Sequence, residues 1–307
     1  MQKQAILEIL GSKCVSGVDG SVPKLDMYVD MSATWIIEKE FRPDRVLRRF
    51  IAIDSREFLG IVCSIMKPVL YAGDNSLTGA AAYLGGVMAY SRIPFDHVPS
   101  TQSLTPYLLR TGRKLLILSD FPARRISSRL MADIEAQVRD GLGLLMVGGW
   151  QSFFGLEGEY NATPIEKALP VLCARKDDRA NYCHGLVPEP RGSHAITRNL
   201  PWKKPPVICG FNRVQPRRDS QVVMSLRPLE MTREKADFGK EKIPLLILGQ
   251  YGKGKTAAFT TDFAPHWVGG LVDWGDKRIR TRAPRGGTVE VGEHYVRLAA
   301  NIIEWFL

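Results

Sequence analysis

The sequence predicts an α/β protein in which a mainly parallel sheet is covered by helices on both faces. Apolar runs of strand length occur at residues 69–72, 114–120 and 142–147, and a Gly or Asp stands at the end of each. Two segments with helical character, 77–91 and 127–141, separate these runs. Continuous apolar runs are typical of strands buried on both faces, and their alternation with helices favours a parallel sheet.

Capping residues and periodicity define the remaining elements. Ser127 or Ser128 is a suitable N-cap for a helix with an apolar stripe that ends at Gly141. A second amphipathic helix is expected at residues 291–306, where apolar residues share one face. Further strands are expected at 95–98, 169–174, 207–211, 221–226, 243–249 and 255–261.

The segment around Gly249 has two interpretations. Gly249, Gly254, Lys255 and Thr256 match the P-loop spacing G-x-x-x-x-G-K-[ST]. A P-loop requires a helix directly after the Lys-Thr pair, whereas Pro265 and the β-favouring residues before it exclude a long helix. We therefore predict a β-hairpin with a glycine-rich turn, followed by a loop.

Composition indicates a globular chain with a sizeable core. The 307 residues are 45% hydrophobic and carry a formal net charge of +10. The densest basic run, KRIRTRAPR at residues 277–285, lacks interleaved aromatic residues. We interpret it as a solvated loop rather than a polyanion contact, which argues against nucleic acid as a partner.

Five dispersed cysteines form no C-x-x-C pair, so neither a disulfide framework nor a metal site is predicted. Cys63, Cys173 and Cys209 lie in apolar runs and are expected in the core. No run is long enough to span a membrane, and reduced thiols favour a cytoplasmic protein. No cofactor is predicted.

The chain is expected to divide at residue 66. Residues 67–307 contain the regular α/β pattern. Residues 1–66 form an N-terminal extension to which we assign no role. Within the extension, residues 33–50 could be a basic amphipathic helix broken at Pro43.

Candidate binding residues follow the predicted parallel strands. Ligand groups in such sheets collect at the carboxyl ends of the strands. Here those ends present Asp74, Asp120 and the turn Gly148-Gly149-Trp150-Gln151. The paired glycines could belong to a catalytic turn that offers backbone N–H groups to an oxyanion, or to a tight turn that only packs Trp150 and Phe153.

A second candidate group comes from the loop after residue 261. His266 follows Asp262 by four residues and precedes Trp267. A histidine beside a carboxylate could act as a general base, with Ser152 as the nucleophile. The alternative is a histidine bonded to backbone in a rigid, proline-bounded loop. Both interpretations remain open at this point.

The order of VLYAGD, LLILSD, GLLMVGGWQSFFG, SHAITRNL and GQYGKGKTAAFTTDFAPHW resembles the class I glutamine amidotransferase-like superfamily, in its bacterial branch related to trehalose-utilisation proteins. The resemblance covers roughly residues 67–307. It implies a flavodoxin-like three-layer sandwich and a cytoplasmic protein that self-associates. Active members release ammonia from glutamine through a cysteine at the turn and a late histidine.

The turn in this sequence departs from the active pattern, since Gly148 and Gly149 stand where the cysteine is expected. Without a thiolate the thioester route is closed. We therefore predict a domain that binds a small polar molecule, with Trp150 and Trp267 stacking on it. Two rivals remain: a hydrolase or transferase that uses His266 and Ser152, and a glutaminase that recruits a cysteine such as Cys183.

Overall fold

The computed structural model describes residues 25–30, 35–42, 45–52, 67–109, 112–231 and 234–307. It divides into two compact units, residues 1–66 and 67–307. The described part of the first unit is an antiparallel sheet of β1 (Leu25–Asp30), β2 (Trp35–Arg42) and β3 (Arg45–Ala52).

The helix predicted at residues 33–50 is therefore wrong. Strands β2 and β3 pair antiparallel from Trp35↔Ala52 to Arg42↔Arg45. The Ile, Val and Phe residues of this segment favour strands, and they outweigh the helical spacing. Cys63 lies outside the described residues.

The described part of the second unit contains a mixed sheet and two smaller two-stranded sheets. Its strands are β4 (Val69–Gly73), β5 (Phe95–Val98), β6 (Leu115–Ser119), β7 (Gly143–Val147), β8 (Val171–Leu172), β9 (Arg179–Pro190), β10 (Ile208–Asn212), β11 (Gln215–Pro216), β12 (Gln221–Met231), β13 (Ala236–Phe238), β14 (Ile243–Tyr251), β15 (Gly254–Phe259), β16 (Arg278–Arg282) and β17 (Thr288–Gly292). The helices are α1 (Ala81–Tyr90), α2 (Ser128–Asp140), α3 (Pro164–Ala168), α4 (Pro265–Val268) and α5 (Glu293–Glu304).

The sheet runs in the order β10-β9-β12-β14-β15-β7-β6-β4-β5. The five strands from β15 to β5 are parallel, and the four from β10 to β14 continue the sheet as antiparallel strands. The carboxyl ends of β4, β6, β7 and β15 thus lie side by side, which is the arrangement that positions the site.

Two apolar cores lie on the two faces of this sheet. Alternate residues of one strand enter different cores, so Tyr71 belongs to one and Leu70 to the other. Helices α1 and α5 cover the first face, while α2 and α3 cover the second. The predicted flavodoxin-like three-layer α/β architecture is confirmed.

Local signals account for the ends of several elements. The Ser127 side chain accepts a hydrogen bond from the Leu130 N–H at 3.3 Å, and α2 ends at Gly141 with a positive φ of 130°. Glycine tolerates that backbone angle without steric cost. Among the described residues no helix is long and apolar enough to cross a membrane.

The hairpin interpretation of the Gly249 segment is confirmed. Strands β14 and β15 pair antiparallel, with Gly249 opposite Thr256, and Gly252 adopts a φ of 59° in the turn. Thr256 lies inside a strand instead of starting a helix. The segment therefore lacks the helix N-terminus with which a P-loop holds phosphate.

Two predictions about local structure are wrong. The basic run at 277–285 is largely strand, because β16 pairs with β17 in a hairpin whose arginines at alternate positions face solvent. Cys209 is exposed, contrary to the prediction, whereas Cys173 is half-buried and packs against the second core. Cys209 lies in the edge strand β10, where a side chain can point outward.

Candidate functional site: a carboxyl cluster at the sheet edge

Strands β4 and β6 place two carboxyl groups side by side. Gly73 pairs with Ser119, and Asp74 and Asp120 follow these residues in the chain. The Asp74 N–H donates to the Ser119 carbonyl at 2.9 Å, and both aspartates have a positive φ, 50° and 46°. This left-handed backbone ends each strand abruptly and turns the two side chains into the site.

The segment after β15 contributes a third carboxyl group, that of Asp262, which contacts the histidine. The buried Asp262 Oδ1 accepts the Ala264 N–H at 2.9 Å, while its Oδ2 lies 3.1 Å from His266 Nδ1. The His266 side chain is 59% exposed. The Asp262 carboxylate therefore orients the imidazole, while the exposed side of the ring stays open to a ligand. The bonding partner of His266 is thus a side chain and not the backbone.

Burial and mutual repulsion change the proton affinity of this cluster. Burial raises the pKa of Asp74 well above its ordinary value, and the charges of Asp262 and Asp120 add to the effect. Tyr71 Oη and Ser119 Oγ both donate to Asp74 Oδ2. Burial, followed by the charge of Asp262, raises the pKa of Asp120 to about 7.

The histidine responds in the complementary direction. The hydrogen bond to Asp262 raises the pKa of His266, burial opposes that change, and the charges of Asp262, Asp74 and Asp120 support it. Near neutral pH, Asp120 and His266 can therefore each carry a proton or lose it, and so can either donate or accept a hydrogen bond. This flexibility suits recognition of a ligand with hydroxyl or amino groups.

The glycine turn after β7 uses its backbone donors internally. The Gly148 N–H donates to the Phe259 carbonyl at 2.7 Å. The Gly149 N–H donates to Asn212 Oδ1 at 2.8 Å, and Asn212 Nδ2 donates back to the Gly149 carbonyl at 3.1 Å. These amides are therefore not free to stabilise an oxyanion.

Further N–H groups of the turn donate to the carboxylates of two aspartates. The Gln151 N–H donates to Asp120 Oδ1 at 2.7 Å. The N–H groups of Phe154 and Gly155 each donate to a carboxylate oxygen of buried Asp178 at 3.0 Å. The turn is thus a rigid structural connection held by two acidic side chains.

Ser152 does not meet the histidine. Its side chain is buried, and its Oγ accepts the Asp120 N–H at 3.0 Å. Among the described residues it makes no hydrogen bond with His266. The structure brings together Asp74, Asp120, Asp262 and His266, and gives Ser152 a role in fixing the Asp120 backbone.

Sterics explain why glycines occupy the turn. A Cβ built on Gly148 would lie 2.2 Å from the Thr260 carbonyl oxygen, and one on Gly149 would lie 2.0 Å from Asp120 Oδ1. Both distances are far below van der Waals contact. A cysteine at Gly148 would clash with the Thr260 backbone, and one at Gly149 would require the Asp120 side chain to move.

The two tryptophans differ in accessibility. Trp150 is 53% exposed, and the Arg179 guanidinium lies 4.6 Å from its ring centre. Trp267 is 6% exposed and packs against Gly210, where an added Cβ would lie 2.7 Å from the indole. Of this pair, Trp150 is therefore the one whose side chain is accessible to a ligand.

Sequence reasoning missed three residues of the site, namely Tyr71, Asp178 and Asn212. Tyr71 lay within an apolar strand, and Asp178 within a charged stretch typical of a surface loop. Asn212 is the last residue of β10, and its polar side chain directly after an apolar run is the signal that identifies it. In the part of the chain described here, no group of three or more His, Cys, Asp or Glu residues could hold a metal ion.

Comparisons with known proteins agree with this fold. Two Salmonella typhimurium structures, described as cytoplasmic proteins STM3548 and STM1381, superpose with TM-scores of 0.61 and 0.57 at 23% and 22% identity. In both cases 78% of this chain and 98% of the other is covered. A ThuA-like protein from Parabacteroides merdae has a TM-score of 0.47 at 11% identity, covering 78% and 89%.

The similarity to the two Salmonella structures concerns the fold alone. Among curated proteins, none matches the sequence. The family model described as "GATase1_like: Putative glutamine amidotransferase" matches residues 113–279, which is more than half of the chain. The chain therefore belongs to the glutamine amidotransferase-like family.

Proposed function

We propose that this protein is a glutamine amidotransferase-like domain without glutaminase activity, and that it binds a small polar molecule at the carboxyl edge of its sheet. One observation supports the proposal above all. The edge combines three neighbouring carboxyl groups and an oriented histidine with a turn that has glycines in place of the cysteine and whose Gly148 and Gly149 N–H groups are already hydrogen-bonded. Such a site can bind, but it lacks two parts of acyl-transfer chemistry.

The chemistry of the cluster suggests the class of ligand. Asp74 and Asp120, with raised pKa values, can accept from or donate to hydroxyl and amino groups. The accessible face of Trp150 can stack on the apolar face of a ring. A small molecule with several hydroxyl or amino groups fits both features. We also propose a cytoplasmic location, which the description of the two Salmonella proteins supports. Self-association is proposed from the family resemblance.

A hydrolase or transferase that uses His266 as general base is the second candidate. The observation in its favour is the 3.1 Å contact between His266 Nδ1 and Asp262, which is how a carboxylate orients a catalytic imidazole. It would need a nucleophile other than Ser152, which is buried and, among the described residues, makes no hydrogen bond with His266. An activated water molecule could serve that purpose.

Ammonia release from glutamine separates these functions. The purified protein and its His266→Ala variant should both release no ammonia above the blank, because the turn holds no cysteine. Activity in the wild type that is lost in His266→Ala would refute the proposal. Cys183→Ala and Ser152→Ala would then identify the nucleophile.

Ligand binding can be tested through Trp150. We expect a sugar, polyol or amino-sugar in a screened panel to raise the melting temperature and to quench tryptophan fluorescence. Trp150→Ala should weaken binding about tenfold, since a stacked aromatic contributes on the order of 1 kcal/mol or more. Tyr90→Ala is the matched control, as Tyr90 is 54% exposed on α1. Equal binding by wild type and Trp150→Ala would remove Trp150 from the site.

A further inference from the structure

A separate cavity lies at the opposite edge of the sheet from the carboxyl cluster. It has a volume of ≈ 530 Å³ and is bounded by the end of α3, the β8–β11 ribbon, the loop before β12 and the β14–β15 hairpin. Thr256, near the start of β15, lines it, whereas Asp262 follows the end of that strand. The two sites therefore share no residue.

The cavity carries a surplus of positive charge. Lys167, Arg217 and Arg218 line it, against a single acidic residue, Asp219. Lys167 Nζ lies 3.5 Å from Glu135 Oε1, so part of its charge is balanced. The surplus consequently rests on the two arginines, whose planar guanidinium groups match carboxylate and phosphate oxygens.

Arg217 is held in place by backbone carbonyl groups. Its Nε donates to the Leu169 carbonyl at 2.9 Å and its Nη2 to the Glu166 carbonyl at 3.0 Å. Ser220 Oγ donates to the Arg217 carbonyl at 2.7 Å and closes the loop. Within the described residues Nη1 has no hydrogen-bond acceptor, so a pre-oriented cationic donor remains for a ligand.

Thr256 supplies an independent indication of a ligand. Its side chain is 1% exposed, yet its hydroxyl makes no hydrogen bond to any residue that the structure describes. A Cβ on the opposing Gly249 would lie 3.2 Å from Thr256 Oγ1 and 2.8 Å from Pro170 Cβ. The hydroxyl thus lies on the Pro170 side, where the cavity is. Among the described residues, the fully enclosed polar atoms that lack a partner lie on other side chains, so the Thr256 hydroxyl reaches the cavity and is available to a bound molecule.

The remaining walls are apolar. Leu172, which is 38% exposed, lines the cavity together with Pro170, Pro216 and the ring of Tyr251. A hydrated inorganic ion would not cover these apolar side chains and would leave them exposed to water. A ligand with one anionic group and a compact apolar body would cover it while reaching the arginines.

We propose that this cavity binds a small organic molecule with one anionic group, with its carboxylate or phosphate on Arg217 and Arg218, an oxygen on the Thr256 hydroxyl, and its apolar body against Leu172 and Pro170. The two possible anionic groups share the same chemistry of recognition. The site is independent of the carboxyl cluster and of the function proposed for it.

Calorimetric titration of the full chain at low ionic strength tests the proposal. The probes are benzoate, phenyl phosphate and the neutral benzyl alcohol. We expect saturable one-to-one binding of at least one anion and none of the alcohol. Arg218→Gln should weaken the binding about fivefold, as expected for an exposed ion pair. Thr256→Val, which keeps the side-chain shape, should weaken it about tenfold through a lost charge-assisted hydrogen bond.

Two controls make the result specific. Arg129→Gln removes an equally exposed arginine from α2, and Asp120→Asn alters the carboxyl cluster. Both should leave the affinity for the anion unchanged. A preference for phenyl phosphate or for benzoate would assign the anionic group. Failure of both anions to saturate, or an equal loss in Arg218→Gln and Arg129→Gln, would overturn the proposal.

Discussion

Asp120 makes the stability of the protein depend on pH. Its pKa is about 7 in the folded state, against the 3.8 that is ordinary for an aspartate. Between these values the folded state binds more protons than the unfolded state, so the free energy of unfolding falls as pH rises. His266 acts in the same direction, because its raised pKa gives a contribution that is complete below 6.5 and is lost as pH rises through the folded value.

Asp120→Asn should therefore stabilise the protein progressively as pH rises. The variant keeps an oxygen for the Gln151 N–H but removes the buried charge. We expect its free energy of unfolding, relative to wild type, to increase by about 2 kcal/mol between pH 5 and pH 8. Urea denaturation at several pH values measures this difference.

Asp133→Asn, on the exposed face of α2, is the matched control and should show no such trend. A difference between Asp120→Asn and wild type that stays constant over pH 5–8 would contradict the raised pKa. A difference that decreases with pH would mean that Asp120 is stabilised as a carboxylate by its N–H donors.

At the scale of elements, the turn after β7 decides which chemistry the family fold can perform here. The side chains of Asp120, Asp178 and Asn212 accept hydrogen bonds from four of its N–H groups, those of Gly149, Gln151, Phe154 and Gly155. Asn212 Nδ2 also donates to Asp178 Oδ1 at 2.7 Å, which links the two halves of the network. A buried network that is fully paired favours one rigid conformation.

Introducing a cysteine into the turn should destabilise the protein and should not create a glutaminase. Gly149→Cys would place Cβ 2.0 Å from Asp120 Oδ1, so the turn or the carboxyl group must move. We expect a loss of about 2 kcal/mol or more in the free energy of unfolding. We also expect no glutaminase activity, since the Gly149 N–H is already bonded to Asn212. Urea denaturation and ammonia release measure the two effects.

Gly79→Cys is the matched control, because a Cβ there meets no atom closer than 3.7 Å. It adds the same thiol at an exposed turn and should change stability little. Ammonia release by Gly149→Cys that is absent from Gly79→Cys would show that the turn can rearrange into a functional elbow.

Sequence patterns predicted the elements better than the contacts between them. The runs that end at Asp74 and Asp120 gave buried strands, because apolar continuity reports burial on both faces. The hydrogen bond between Asn212 and Gly149 joins residues 63 positions apart in the sequence, and no local pattern can predict such a contact. The burial of Trp267 was missed for the same reason, since it depends on Gly210 in a distant strand.

At the scale of the molecule, the mixed sheet separates two chemical environments. Parallel strands bring the acidic groups of Asp74, Asp120 and Asp262 to the carboxyl edge. The antiparallel hairpin β14–β15 and the loop before β12 bring Arg217 and Thr256 together at the other edge. One sheet thus supports an acidic site and a basic site that can be altered independently.

Residues 67–307 contain both sites and both apolar cores, and we propose that they form a self-sufficient domain. A chain of residues 67–307 should fold without residues 1–66, because the described members of both apolar cores lie within this range. Far-ultraviolet circular dichroism should show mixed α/β content, and thermal unfolding should give one cooperative transition within about 5 °C of the full-length chain. A fragment that aggregates or unfolds without a transition would mean that residues 1–66 complete the fold, and the boundary at residue 66 would be wrong.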